Sequence, residues 1–290
     1  MRILVTGAAG MLGHDLLGAA SAAGIECVGL AHAELDIADA AEVAAAVQSA
    51  APDVVVNCAA WTNVDGAESE FEAALAINGD GAGNVAAAAR RAGAWTIQVS
   101  SDYVFEGNKR TPYVESDPTG PLSGYGRSKL AGEEAVAREA PDGHTIVRSS
   151  WLFGAHGHCF PATIIRLAGE RDELTVVDDQ VGCPTFTGHL AQALLTLCQT
   201  RPLGVLHVAG AGSCSWYELA KQVVADTGRP TQVIPGKTTD HPRPAPRPGY
   251  SVLGTERDAE APSLPHWREG VAGYMAARGI GDTQAVEARR

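Results

Sequence analysis

Two side chains suited to proton transfer, Tyr125 and Lys129, lie four residues apart in residues 123–138, a stretch predicted to be helical. At that spacing both side chains project from one face of the helix. A tyrosine hydroxyl, with an ordinary pKa of about 10, can give a proton to a developing alkoxide when a nearby cation stabilises the phenolate. Lys129 would be that cation. The pair predicts reduction of a carbonyl group, although this spacing also arises by chance in many helices.

A hydroxyl and a carboxyl group stand where another predicted element ends. Ser101 and Asp102 directly follow the strand-like run Thr96–Ser100. A hydroxyl at that point can hold the substrate carbonyl oxygen beside the tyrosine. We assign this role to Ser101, and the alternative for Ser100 or Ser101 is a local bond to the backbone.

Three glycines, Gly7, Gly10 and Gly13, follow the first apolar run and open a helix that begins near Met11. Binding of a dinucleotide diphosphate requires glycine at three positions. One is the tight turn, the second is where the backbone approaches the diphosphate, and the third is where the helix packs closely on the strand. The spacing is typical of short-chain reductases. The turn therefore predicts a nicotinamide cofactor, the alternative being a glycine-rich turn without a ligand.

The choice between NADPH and NADH depends on the residues about 20 positions after the turn, where an acid would hold the ribose hydroxyl of NADH. Leu30, Ala31 and His32 stand there without a carboxylate, which favours NADPH. No arginine stands there for a 2′-phosphate, so NADH stays possible. Asp36 and Ile37 are candidates for the adenine pocket, and Asp36 could equally cap a helix.

The end of the third apolar run offers a surface for the same cofactor. Small residues, Asn57 to Ala60, allow it to lie close over the sheet, and Trp61 and Thr62 begin a loop that would face its nicotinamide half. Trp61 could instead be a core aromatic.

Strand-like and helix-like stretches alternate through the first half of the chain, which predicts an α/β fold with a Rossmann-like, doubly wound parallel sheet. Ligands of such sheets bind at the carboxyl ends of the strands. The strand-like runs are Ile3–Thr6, Cys27–Leu30, Val54–Asn57, Thr96–Ser100 and Thr145–Arg148, with helices predicted at residues 40–51 and 82–92.

The second half is predicted to complete this sheet and to build a smaller C-terminal substrate-binding lobe. We assign residues 1–150 and about 186–210 to the dinucleotide-binding domain, and about 151–185 and 211–280 to the lobe. Helices are expected at residues 160–169, 188–199 and 215–227, with a strand at 174–177. The proline-rich stretch 235–248 is predicted to be a loop over the cleft, since proline lacks the amide donor. Residues 281–290 are predicted to be a frayed, disordered tail.

Bulk properties exclude several classes of partner. A net charge of −12 argues against binding to nucleic acid or an anionic membrane, since both need a basic face. No run approaches the roughly 18 apolar residues of a membrane span, and the start resembles a buried strand more than a signal sequence. Six scattered cysteines are expected to be reduced thiols. We expect a cytoplasmic protein.

Several spaced motifs together resemble the dTDP-4-dehydrorhamnose reductase family, over nearly the whole chain to about residue 275. The resemblance implies reduction of the C4 ketone of a dTDP-linked 4-keto-6-deoxysugar by a monomer or homodimer. It is carried by the glycine turn, Asn57–Ser69 (NCAAWTNVDGAES), Ser101–Gly107 (SDYVFEG), Tyr125–Gly132 (YGRSKLAG), Arg148–Trp151 (RSSW), Asp179–Thr185 (DQVGCPT) and Arg247-Pro248.

The family's catalytic tyrosine and lysine fall on Tyr125 and Lys129, and its threonine-aspartate pair falls on Ser101 and Asp102. The resemblance implies that Trp151 faces the sugar nucleotide, and we choose Arg247 for the diphosphate. The implied cofactor-lining residues are Gly10, Met11, Leu12, Asp36, Ile37, Ala60, Trp61, Thr62 and Val99.

Some positions depart from the family. Serine replaces threonine at Ser101, Trp61 stands where histidine or tyrosine is commoner, and Pro246 replaces a second arginine before Arg247. Some relatives form dimers bridged by magnesium on glutamates, but only Asp15 matches such a site here, so no metal is expected. These differences leave open another product, for example dihydrostreptose or a different antibiotic sugar.

Three other interpretations share parts of the pattern. A 4,6-dehydratase would carry an acid after Asp102, where this chain has Tyr103. A 4-epimerase would share the glycine turn and the tyrosine-lysine pair. A non-catalytic, nucleotide-binding regulatory subunit would not need Ser101, Tyr125 and Lys129 together, so net reduction is the favoured interpretation.

Overall fold

The structure, a computed structural model, describes residues 1–280, so the predicted tail lies outside the described residues. Its strands are β1 Arg2–Thr6, β2 Glu26–Leu30, β3 Val54–Asn57, β4 Trp95–Ser101, β5 His144–Ser149, β6 Leu152–Phe153, β7 Glu173–Val177, β8 Val181–Gly182, β9 Thr185–Phe186, β10 Gly204–His207, β11 Cys214–Ser215 and β12 Gln232–Gly236. Its α-helices are α1 Met11–Ala22, α2 Ala40–Ala50, α3 Gly66–Ser69, α4 Phe71–Leu75, α5 Ala82–Arg91, α6 Gly124–Glu139, α7 Phe160–Ala168, α8 Thr187–Thr200, α9 Trp216–Asp226 and α10 Trp267–Ala277. In this part of the chain, no helix combines the length and apolar composition needed to cross a bilayer.

A six-stranded sheet forms the centre of the molecule, in the order β10-β5-β4-β3-β1-β2. Every pairing in it is parallel. Helices cover both faces because parallel strands need crossover connections, which places α1 and α8 on one face and α2 and α5 on the other. The predicted Rossmann-like, doubly wound sheet is confirmed.

Strand β1 shows why the core has two sides. Ile3 and Val5 are fully buried against the α1 and α8 side, whereas Leu4 between them is fully buried against the α2 and α5 side. Alternate residues of a strand point to opposite faces, so a strand covered on both faces must be apolar throughout. The short apolar runs in the sequence mark such strands.

The turn from β1 into α1 requires glycine at specific points. Gly7 has a φ of +67°, and a Cβ there would lie 2.6 Å from the backbone nitrogen of Ala59. A Cβ on Gly13 would lie 2.4 Å from the Gly7 carbonyl oxygen. The turn is therefore pressed against the loop after β3 and against its own helix.

Residues after the first five strands divide between the sheet and a second apolar cluster. β10 adds to the edge of the sheet beside β5, and α8 packs on α1. The second cluster is built on α7, α9 and α10 with the parallel pair β7 and β12, and includes Trp267 and Tyr274 as fully buried aromatics. The sequence analysis did not predict α10.

The prediction of a loop over residues 235–248 is wrong at its start. Pro235 lies within β12, whose one partner strand among residues 1–280 is β7. A strand in a two-stranded ribbon is an edge strand, where a proline without an amide donor is tolerated. A 3₁₀ turn, Thr238–Asp240, follows. The rest, from His241 to Gly249, is irregular as expected.

We predict that Gly13→Ala destabilises the protein by about 1–3 kcal/mol, because the new methyl group would meet backbone atoms that cannot rotate away. Gly18→Ala is the matched control on the same helix: a Cβ at Gly18 meets nothing within 4 Å. That change should be neutral or stabilise by up to about 1 kcal/mol. Thermal unfolding measures both. Equal stability of the two variants would contradict the close packing of the turn.

Candidate active site

Helix α6 carries the predicted catalytic pair at the carboxyl edge of the sheet. The helix begins after Ser123, whose hydroxyl accepts the Gly126 amide at 3.1 Å. Gly126 is close to the Tyr103 carbonyl oxygen, where a Cβ would stand 2.3 Å away. This contact lets the first turn of α6 lie directly on the residues that follow β4.

A chain of side-chain hydrogen bonds connects the glycine turn to Lys129. Thr6 Oγ1 donates to Asn57 Oδ1 (2.5 Å), and Asn57 Nδ2 donates to Gln98 Oε1 (2.7 Å). Gln98 Nε2 donates to the Val99 carbonyl at 2.9 Å. Lys129 Nζ donates to the same carbonyl at 2.7 Å. The ends of β1, β3 and β4 are thus tied to α6.

Ser101 and Asp102 lie where β4 ends. Ser101 Oγ accepts the Tyr103 amide at 3.2 Å and donates to Asp102 Oδ1 at 3.1 Å. The second carboxyl oxygen of Asp102 is buried without a hydrogen-bond partner among residues 1–280. Burial raises the Asp102 pKa to about 7, although nearby hydroxyls of Ser251 and Ser101 act in the other direction. A buried carboxyl oxygen without a partner is suited to hydrogen bonding a polar ligand.

Tyr125 holds its proton at neutral pH. Burial raises its pKa to about 12, and the nearby Ser101 hydroxyl opposes this rise in part. The Tyr103 ring meets the Tyr125 ring edge-on, with centroids 5.7 Å apart. Lys129 is only 4% exposed, and burial lowers its pKa to about 8. Tyr125 is therefore a neutral acid with a buried amine one helical turn away.

The start of α1 fits the diphosphate of a dinucleotide. The N-cap residue Gly10 provides no side-chain cap, and the first turn contains no acidic residue. The amides of Met11, Leu12 and Gly13 therefore stand at the positive end of the helix dipole without an internal partner. The Leu12 side chain belongs to the core, so only its backbone can serve the cofactor.

The side chain of Asn78, a residue that the sequence analysis missed, holds the loop after β3 through hydrogen bonds. Asn78 Oδ1 accepts the Trp61 amide at 2.9 Å, while its Nδ2 donates to the Trp61 carbonyl and to Ser128 Oγ. Trp61 is half-buried and donates its indole N–H to the Asn63 carbonyl, so it is not a core aromatic. Ala60, Trp61 and Thr62 thus form a surface loop near α6.

The two residues predicted for the adenine pocket differ in exposure. Asp36 is exposed and accepts the Ala38 amide, and Asp39, not Asp36, caps α2. The Ile37 side chain is buried in the core, which leaves only its backbone for a ligand. An open groove of about 680 Å³ follows β2, lined by His32, Ala33, Glu34, Leu35, Asp36, Glu42, Ala45 and Ala46.

Arg247 reaches across from the proline-rich stretch to Asp65, just before α3. Its Nη1 and Nη2 donate to the two Asp65 carboxylate oxygens at 3.0 and 3.1 Å. The Ala245 amide donates to the same carboxylate, and Arg243 lies 3.7 Å away. The bond from Arg247 holds the Asp65 pKa below its ordinary range. The charges of Arg247 and Asp65 both influence the pKa of Tyr103, whose ring contacts Tyr125. Arg247 therefore lies in the region around Tyr125.

Trp151 lies outside the main sheet, in an unusual backbone conformation with a φ of +49°. Its ring stacks on Trp216 at the start of α9, with centroids 3.5 Å apart and planes 3° from parallel. A side chain on Gly182 would collide with the Trp151 ring. The stack and the close glycine hold the positive φ in place.

One cluster in residues 1–280 has metal-ligand spacing: His14, Asp15 and His156, whose ligand atoms lie within 4.8 Å of one another. The two imidazoles are stacked at 3.5 Å, and Asp15 Oδ2 accepts a hydrogen bond from Thr187. Asp15 therefore already contributes to the packing of α1 on α8. The expected absence of a metal stays a prediction.

Known proteins resemble this chain over most of its length. Residues 1–279 match the family model described as RmlD substrate binding domain. The dTDP-4-dehydrorhamnose reductase of Streptomyces griseus is 46% identical over 92% of this chain and 90% of its own length. The dTDP-4-keto-6-deoxy-D-glucose reductase of Streptomyces niveus is 42% identical over 92% of this chain and 93% of its own.

A crystal structure of dTDP-4-dehydrorhamnose reductase from Bacillus anthracis in complex with NADP superposes with a TM-score of 0.92. It is 37% identical to this chain, covering 95% of this chain and 98% of that one. The resemblance inferred from the motifs is confirmed.

We predict that Asp65→Asn speeds amide exchange at Ala245 about tenfold, which corresponds to about 1.4 kcal/mol, because the bond from its amide to the charged carboxylate is weakened. Because the paired carboxylate titrates below its ordinary 3.8, the contact is complete at neutral pH and is lost only as the pH falls below that value. Hydrogen exchange with mass spectrometry provides the measurement. Asp142→Asn, at an exposed loop position, is the control, and unchanged exchange in Asp65→Asn would disprove the contact.

Proposed function

This chain belongs to the dTDP-4-dehydrorhamnose reductase family, and we propose that it reduces the C4 keto group of a dTDP-4-keto-6-deoxyhexose, converting dTDP-4-dehydrorhamnose to dTDP-L-rhamnose. The observation that carries the proposal is the meeting of Tyr125, Ser101 and buried Lys129 beside an uncapped dinucleotide turn. A nicotinamide nucleotide supplies the hydride.

In the proposed mechanism, Tyr125 gives its hydroxyl proton to the C4 oxygen as that oxygen gains negative charge. Ser101, whose hydroxyl proton turns from Asp102 to the C4 oxygen when the substrate is bound, donates a hydrogen bond to that oxygen and positions it. Lys129, while protonated, stabilises the Tyr125 phenolate that remains, which offsets the high pKa of the buried phenol. Asp102 offers its unsatisfied oxygen to a sugar hydroxyl. Arg247 binds the diphosphate, and Trp151 faces the sugar nucleotide.

We propose NADPH as the preferred cofactor, with NADH also accepted. The absence of an acid at Leu30, Ala31 and His32 supports NADPH. Glu34 supports some use of NADH, because its carboxylate accepts the Ala31 amide at 2.9 Å and brings negative charge to the same strand end.

One observation supports a different product as the second candidate. The chain is nearly as similar to the Streptomyces niveus reductase named for dTDP-4-keto-6-deoxy-D-glucose as to the dTDP-4-dehydrorhamnose reductase of Streptomyces griseus. That name gives dTDP-4-keto-6-deoxy-D-glucose as the substrate, whereas the reductase of Streptomyces griseus is named for dTDP-4-dehydrorhamnose. The alternative proposal is reduction of a dTDP-4-keto-deoxysugar in an antibiotic-sugar branch.

The function is tested by NADPH and NADH oxidation at about 340 nm with dTDP-4-keto-6-deoxyglucose, with and without a separate 3,5-epimerase. We expect turnover only with the epimerase, and dTDP-L-rhamnose by NMR. Another sugar product would move the protein to the antibiotic-sugar branch. Absence of oxidation with either cofactor would favour the binding-subunit interpretation.

Tyr125→Phe should lower kcat by about 10²–10⁴-fold while leaving cofactor affinity nearly unchanged, since it removes the proton donor but keeps the ring. Tyr217→Phe on α9 removes a hydroxyl outside the site and is the matched control. Steady-state kinetics and cofactor titration measure both. Full activity of Tyr125→Phe would rule out the assigned role.

A further inference from the structure

Glu133 is a buried carboxylate that the proposed mechanism does not use. It lies one helical turn after Lys129 on α6 and is only 4% exposed. Taking a carboxylate out of water costs several kcal/mol unless it is paired and hydrogen-bonded. The Glu133 carboxylate must therefore have charged or hydrogen-bonding partners.

Arg148 and Ser100 satisfy this carboxylate. Arg148 Nη2 donates to Glu133 Oε2 at 2.7 Å, and its Nε donates to Oε1 at 2.9 Å. Ser100 Oγ donates to Oε1 at 2.5 Å. Arg148 itself lies over the Phe105 ring, 5.0 Å from its centroid. The carboxylate is therefore held by β4 and β5, the two strands under the catalytic helix.

The groups around Lys129 show where this charge acts. Glu133 and Lys129 stand four residues apart on one face of α6, and both are only 4% exposed. The Glu133 carboxylate opposes the lowering of the Lys129 pKa by burial. Burial raises the Cys58 pKa to about 12, so the thiol of Cys58, after β3, is uncharged near neutral pH. From β4, Lys129 meets the neutral Val99 carbonyl, and the charged group on β5, Arg148, is bound by the Glu133 carboxylate.

We propose that Glu133 is a positioning residue for the reaction: its carboxylate, oriented by Arg148 and Ser100, keeps Lys129 charged beside Tyr125. This inference rests on the proposed reduction, in which Lys129 must be cationic to stabilise the tyrosine phenolate. It gives the buried ion pair a chemical role in addition to joining β5 to α6.

The test is the pH dependence of kcat in Glu133→Gln. Activity falls as the pH rises through the Lys129 pKa, because the cation is lost. Without the neighbouring negative charge this fall should begin about one pH unit lower, so the variant loses about tenfold at pH ~8.5 and little at pH ~6.5. Glu134→Gln, at the exposed neighbouring position, is the matched control. A folded Glu133→Gln protein with an unshifted profile overturns the proposal.

Glu133→Gln leaves Arg148 buried and unpaired, which is strongly destabilising, so Glu133→Gln/Arg148→Met provides a second test without a buried, uncompensated cation. If Glu133 acts on Lys129, the double variant keeps the lowered profile. If Glu133 serves only to pair Arg148, the double variant returns to the wild-type profile and the proposal fails.

A readout without turnover separates this inference from the proposed function. The NMR chemical shift of the Lys129 Cε, followed across the pH range, reports the protonation of this buried amine directly. We expect the titration midpoint to lie at lower pH in Glu133→Gln than in the wild type. A wild-type protein inactive on the dTDP-sugar would contradict the proposed function alone, whereas identical titration curves would overturn the role of Glu133 alone.

Discussion

The buried hydrogen-bond chain from Thr6 through Asn57 and Gln98 to the Val99 carbonyl is the interaction on which the site depends. It crosses β1, β3 and β4 where these strands end, and Lys129 joins it from α6. The glycine turn, the loop after β3 and the Ser101-Asp102 pair each follow one of these strands. Buried polar groups of this kind must be satisfied, so the chain specifies the register of the strand ends as well as joining them.

Burial also sets the chemistry of the ionisable groups. It raises the pKa of Tyr125 to about 12 and of Asp102 to about 7, and it lowers the pKa of Lys129 to about 8. Each shift moves its group toward the neutral form, as expected where water is excluded. Near neutral pH Tyr125 is therefore a neutral donor while Lys129 is still cationic, and charge is also retained at Glu133, which pairs with Arg148.

Contacts between distant parts of the chain complete the site. Asp65, before α3, holds Arg247 of the proline-rich stretch, and Glu68 of α3 accepts the Gly124 amide at 2.6 Å. One short segment thus contacts both the stretch that carries the proposed diphosphate ligand and the start of α6, which carries the proposed catalytic pair. Trp151 depends in the same way on Trp216, far along the chain.

The sequence by itself determined the α/β class, the parallel strands of the main sheet, the glycine turn and the Tyr125-Lys129 pair. These features depend on local patterns: apolar runs, glycine spacing and helical periodicity, which act over a few residues. Only the tertiary structure decided the partners of Asn78, Asp65, Glu133 and Arg148, because hydrogen bonds between residues distant in sequence leave no periodic signal. It also decided that Pro235 lies in a strand, since an edge pairing removes the penalty for its missing amide.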